Sequence, residues 1–172
     1  MELSKYIACI CEGTAEEVII NMLLDSDKLI FNRNNMIEEE VIRCRGGRNF
    51  EERYLRKGFS EQITVLRILD SRSEKFKLSK VYAEKIKVIN IITAPEIEML
   101  VILKEKKYSD YKKSNKKPSE FCKSDLKYKN VKSKDFIKNY FSDVNDLVFA
   151  ISEYKRISKI KQGEYSLFDL LK

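Results

Sequence analysis

Apolar residues alternate along the chain between short unbroken runs and wider stripes at helical spacing. Tyr6-Ile7-Ala8-Cys9-Ile10-Cys11 is an unbroken run, the pattern of a strand buried on both faces. It ends at Glu12-Gly13-Thr14, where Thr14 is placed to cap a helix and Glu17, three residues on, to close a capping box. Val18, Ile19, Met22 and Leu23 then recur at helical spacing as far as Leu24. A weaker strand near Lys28–Phe31, another at Glu40–Cys44 and a turn at Arg45-Gly46-Gly47-Arg48 follow. Asn49 is expected to cap a short helix Phe50–Lys57 that stops at Gly58. Ile63–Leu69 is a second β-rich run, ending on Asp70, with a helix over 79–86 and a short strand Lys87–Thr93 after it.

Pro95 suits the first turn of a helix striped by Ile97, Leu100, Val101 and Leu103. The polar stretch from Lys112 to Pro118 reads as a loop, and 118–127, 133–141 and 143–157 read as helices. Apolar residues in Tyr165–Leu171 are available to dock. Runs that end in charged turns, with helical stripes between them, predict an α/β fold with a mainly parallel central sheet flanked by helices. Ile7–Cys11 and Val65–Leu69 are expected among the inner strands. With no internal repeat and no linker, the expected division is an α/β domain over 1–111 and a helical C-terminal elaboration over 112–172, packed as one structural domain.

At 172 residues, with 43% apolar and 35% charged side chains, the chain has the make-up of one folded domain. It contains no histidine, which excludes His-based triads, Cys–His dyads and His-ligated zinc. Acid–base chemistry would have to rest on Asp, Glu, Lys, Tyr, Cys or a metal-bound water. Cys9, Cys11, Cys44 and Cys122 form no CxxC pair, and Cys9 and Cys11 would share one strand face as small buried side chains. Met1-Glu2-Leu3-Ser4 does not open a signal-peptide pattern, and no apolar run approaches the roughly 20 residues of a membrane span. No membrane association and a cytoplasmic location are the expectations.

Charge changes the picture further. The net charge is +7, yet residues 1–70 hold 10 basic and 13 acidic groups. Residues 104–134 alone hold 12 lysines against 4 acids, a local balance of +8. Such a stretch is either a solvated face or a surface for phosphates. Interleaved Tyr108, Tyr111, Phe121 and Tyr128 suit an anionic polymer, with Lys112, Lys113, Lys116 and Lys117 as the expected nucleic-acid contacts.

Acids also follow three strands: Glu12 with Glu16 and Glu17, Asp70, and Glu96 with Glu98. Ligand sites of open parallel sheets gather at the carboxyl ends of the strands, and clustered carboxylates suit Mg²⁺ or Mn²⁺. Taken singly, acids beside turns are ordinarily helix caps.

The order of three segments adds to this. Cys11-Glu12-Gly13-Thr14-Ala15-Glu16-Glu17 resembles the opening motif of Toprim-related proteins. Ile63–Asp70, followed by Ser71-Arg72-Ser73, sits where that fold places an acidic strand end, usually Asp-x-Asp. Thr93-Ala94-Pro95-Glu96-Ile97-Glu98-Met99-Leu100 is similar to the Ser-Asn-Pro-x-Phe-Glu-x-Trp segment of the RloB-like branch.

The resemblance spans residues 5–103 and implies a Toprim-like sheet in a bacterial protein of phage defence or a mobile element. It implies a Mg²⁺-dependent nuclease, or a related phosphotransfer enzyme, acting on DNA or RNA. Glu12 would then serve as acid–base or metal-positioning group and Asp70 as metal ligand. Glu16 matches the second acid of the opening motif and Glu98 the glutamate of the third. Arg72 stands where the family places a second aspartate, so it either removes a metal ligand or clamps a phosphate; Ser73 and Glu74 are the neighbouring candidates to compensate. The other function class is a catalytically degenerate Toprim-like module that binds nucleic acid or a partner protein such as an ATPase. A small-molecule phosphohydrolase lacks a phosphate-cradling glycine loop, Arg45-Gly46-Gly47-Arg48 being too short.

Overall fold

The computed structural model describes residues 1–56, 61–72, 75–93 and 96–172, with Glu96 described by its backbone. Strand β1 (Tyr6–Cys11) leads through a turn into helix α1 (Thr14–Asp25), and a 3₁₀ turn follows at Arg33–Asn35. Helix α2 (Gly47–Phe50) runs on as a π-helical turn over Glu51–Leu55. Strand β2 (Ile63–Leu69), the short helix α3 (Lys80–Ala83) and strand β3 (Ile86–Ile92) come next. Five helices close the chain: α4 (Glu96–Lys104), α5 (Tyr108–Ser114), α6 (Pro118–Ser124), α7 (Lys134–Tyr140) and α8 (Val144–Ile157). A 3₁₀ turn at Leu167–Leu170 follows α8.

The three strands form one parallel sheet in the order β1-β2-β3, the α/β architecture that the apolar runs predict. Side chains alternate across it. Ile7, Cys9 and Cys11 of β1 join Leu66 and Ile68 of β2 in the larger apolar group, with α1, α4 and α8. Ala8, Ile10, Ile63 and Val65 join Phe50 and Leu55 on the other face. Helix α4 explains its own position: Ile97, Met99, Leu100, Val101, Ile102 and Leu103 are all buried, and a helix apolar all round belongs inside. It packs against α8 and α6.

Several local expectations are corrected. Helix α1 is capped by Gly13 with no side-chain cap, because Arg43 takes both Thr14 Oγ1 (3.0 Å) and the Glu17 carboxylate. The stretch Lys28–Phe31 is no regular strand; Leu29 makes a single antiparallel bridge to Leu171, and the Ile30 N–H donates to Leu170 O at 2.9 Å. Glu40–Cys44 likewise contributes one bridging residue. Met36 pairs with Ile7 and Ile42 with Ile10, so the chain spends six steps where β1 spends three, and the excess loops out.

Helix α2 starts at Gly47 rather than Phe50. A Cβ on Gly47 would sit 2.1 Å from the carbonyl oxygen of Lys77, so the segment before α3 crosses here at a distance only glycine permits. Lys112 and Lys113 lie in α5, so the expected loop shrinks to residues 115–117. The expected helix stop at Gly58, the compensating Ser73 and Glu74, and the helix opening at Ala94-Pro95 lie outside the described residues. Among the described residues no helix is long and apolar enough to cross a membrane.

Candidate functional site

Parallel pairing brings the carboxyl ends of all three strands to one edge. Cys11 is in register with Ile68, and Leu69 with Ile92. The ladder continues one step further, with the Glu12 N–H donating to Ile68 O (3.2 Å) and the Thr93 N–H to Leu69 O (2.7 Å). Glu12, Asp70 and Thr93 therefore crown adjacent strands, Glu12 half-buried and Asp70 exposed.

Glu16 reaches the same edge from the first turn of α1. It is buried, and its Oε1 accepts a hydrogen bond from Thr93 Oγ1 at 3.2 Å. The same hydroxyl lies 2.9 Å from Leu69 O, whose second lone pair is open beside the one the Thr93 N–H takes, so the hydroxyl's single proton is shared between the carbonyl and the carboxylate. The other oxygen, Oε2, is folded over Gly13, where a Cβ would come within 2.3 Å of it. Gly13 thus makes room for an acid turned inward.

Glu98 does not join this group. Glu98, the third residue of α4, faces α6 and the segment after it. Its Oε1 lies 3.5 Å from Lys132 Nζ, and the thiol of Cys122 donates to its backbone carbonyl at 3.6 Å. Burial, with the Glu98 charge adding to it, pushes that thiol up to about 12. Among the described residues no three Cys, Asp or Glu side chains form a group that could hold a metal ion. The expected convergence of Glu12, Asp70 and Glu98, with Glu16 beside them, is thus not what the described residues form.

Arg72 is engaged at long range. Its Nε and Nη2 donate to the two carboxylate oxygens of Glu164 at 2.9 and 3.3 Å. The bidentate contact raises the arginine's pKa and lowers that of Glu164. The pair forms one wall of a cleft of about 300 Å³ at the end of β3, also lined by Tyr108, Tyr111, Lys112, Tyr154 and Lys159. Neither Lys112 nor Lys159 has an acidic partner among the described residues. Tyr111 packs edge-on against Phe121, with centroids 5.6 Å apart. Tyr154 and Lys159 carry no local motif, and it is the return of the chain after α8 that brings them here.

The remaining lysines divide. Lys113 and Lys117 are exposed, but Lys116 is held by Asp125 at 2.6 Å and by Ser124 Oγ at 3.1 Å. A second cleft, of about 490 Å³, lies over Glu98 and is lined by Ser119, Lys123, Tyr128, Lys129 and Lys132. The chain matches no protein-family model, no curated protein and no solved structure.

Proposed function

We propose that the protein is a nucleic-acid-binding α/β module whose contacts come from its C-terminal half. The observation that carries this reading is the cleft at the end of β3, where cationic side chains and three tyrosines meet. Phosphates need positive charge that is not already neutralised, and Lys112 and Lys159 offer it; base faces need aromatic walls, and Tyr108, Tyr111 and Tyr154 offer them. The lysine-rich stretch extends the same charge along the chain, with Lys113 and Lys117 exposed in it.

The test is binding to a single-stranded oligonucleotide by fluorescence anisotropy over a range of salt. Each phosphate contact contributes about −0.7 to the log–log slope on a single strand. Replacing Lys112, Lys113, Lys117 and Lys159 together by Gln should flatten the slope by up to about 3 units while the fold is retained. Absence of binding at low salt, or an unchanged slope, refutes the reading.

A second reading is favoured by one observation: Glu12 and Asp70 stand at the ends of adjacent parallel strands. Mg²⁺ is commonly held by one or two carboxylates together with substrate phosphates, a smaller demand than an all-protein cage. These two residues would hold the ion, which would offset charge on a scissile phosphate. This is the Mg²⁺-dependent nuclease of the Toprim-like resemblance, with its setting in phage defence beside an ATPase.

A further inference from the structure

The charge of the cleft at the end of β3 distinguishes one part of a strand from the rest. Arg72, Lys112 and Lys159 line it with Glu164 as the one acid, a balance of +2 among the described residues. An internal phosphodiester brings a single negative charge and two unbridged oxygens. A terminal phosphate monoester brings about −1.5 to −2 at neutral pH and three unbridged oxygens. The monoester matches the cleft, whereas the diester leaves half of its charge unanswered.

Arg72 is set up to hold such a group. A guanidinium carries five N–H donors in one rigid plane. Glu164 engages its inner side, through Nε and Nη2 at 2.9 and 3.3 Å, and Nη1 makes no hydrogen bond among the described residues. The side chain is 48% exposed, and its outer edge offers a second fork, Nη1 with the remaining Nη2 proton. Glu164 is fixed in turn, its own N–H donating to Lys161 O at 3.0 Å, so the arginine is held at a set angle before any ligand arrives.

Size narrows the choice further. At about 300 Å³ the cleft lies at the small end of ligand sites, and the buried Met99 and Ser166 are part of its lining. It suits one nucleotide rather than a run of them. Tyr108, Tyr111 and Tyr154 give the base of that nucleotide a surface to stack on.

We infer that this cleft binds strand ends: it receives the terminal nucleotide of a single strand that carries a phosphate monoester, gripped by the outer fork of Arg72 with Lys112 and Lys159 beside it. The inference rests on the nucleic-acid reading above and adds to it the part of the strand that is recognised.

The experiment compares internally labelled oligothymidines of one length: 5′-phosphorylated, 3′-phosphorylated, hydroxyl at both ends, closed into a circle, or phosphorylated with the terminal phosphate capped as its methyl ester. A phosphate at the 5′ or the 3′ end should tighten binding about tenfold over the hydroxyl-ended strand. The circle should bind like the hydroxyl-ended strand, and the methyl ester, reduced to a single charge, should lose most of the gain. Arg72→Lys keeps the charge and removes the fork, so it should bring the ratio of phosphorylated to hydroxyl-ended affinity close to one, with the urea midpoint reporting that the variant is folded. Equal binding of all the strands, a full gain retained by the methyl ester, or a ratio that survives in folded Arg72→Lys overturns the inference while leaving nucleic-acid binding intact. Thymidine monophosphate competing as well as the phosphorylated strand also overturns it, in favour of a free nucleotide. Absence of binding by every strand at low salt overturns both readings.

Discussion

Thr93 holds Glu16 in place, and its removal has a cost that the structure sizes. Both residues are buried, Thr93 at 0% and Glu16 at 3% exposure, so solvent neither screens their hydrogen bond nor replaces it when the hydroxyl is lost. A hydrogen bond to a charged group is worth about 1.5–3 kcal/mol. Thr93→Val keeps the shape and deletes the donor, so it should destabilise the protein by about 2 kcal/mol. Thr93→Ser keeps the hydroxyl and deletes one methyl, for about 1 kcal/mol. In a Glu16→Gln background the bond is neutral, worth about 1 kcal/mol, and the cost of Thr93→Val should fall accordingly. Urea denaturation near pH 7 measures all three. With a slope of about 2 kcal/mol per molar, Thr93→Val should lower the midpoint by about 1 M. A Val variant as stable as the Ser variant, or an equal cost in both backgrounds, would show that the hydroxyl does not support the carboxylate.

The turn after α8 gives a pH prediction. Burial opposes ionisation of Asp169, but the Ser166 N–H at 2.7 Å and Lys155 Nζ at 2.9 and 3.0 Å outweigh it and hold its pKa below the ordinary value. A lowered folded pKa stabilises above the unfolded value of about 3.9, and the contribution is lost as pH falls below that through the folded value. Asp169→Asn should therefore lower the urea midpoint near pH 6, and the difference from the parent should shrink near pH 3; a constant difference would refute the coupling. For the metal-dependent reading, Asp70→Asn and Glu12→Gln should each abolish Mn²⁺- or Mg²⁺-dependent cleavage of single-stranded nucleic acid by a folded protein. Full cleavage in either variant would leave the strand-end carboxylates without a role in it.

Strands β1 and β2 are legible in the sequence because burial on both faces leaves no room for polar alternation, and the run itself marks the boundaries. Arg67 is the informative exception. It sits inside the run at 3% exposure because its guanidinium lies over the Phe76 ring, 4.8 Å from the centroid, and bonds Asn90 at 3.4 Å. What the sequence does not show is pairing at a distance. The strand-like pattern of Lys28–Phe31 is answered by Leu171, and Arg72 is claimed by Glu164, 92 residues away. The direction of Glu98 depends on helix phase, which a match of motifs does not encode. Residues Tyr154 and Lys159 enter the cleft through the path of the chain after α8, for which no short pattern exists.

The two margins of the sheet differ in a way that bears on self-association. Along β1 the neighbouring segment engages three backbone groups: the Ile37 N–H bonds Ile7 O, the Ile42 N–H bonds Cys9 O, and the Cys11 N–H bonds Ile42 O. Along β3 the described seal is one backbone bond, from the Ile92 N–H to Tyr165 O at 2.9 Å. An unsealed strand margin is a template on which another chain can add, and charge placed along it is the usual deterrent. Lys87 supplies that charge at the amino end of β3, with Val88 36% exposed beside it. The aggregation hazard of this sheet is therefore concentrated on the first half of β3, and Lys87 guards the end that Tyr165 does not reach.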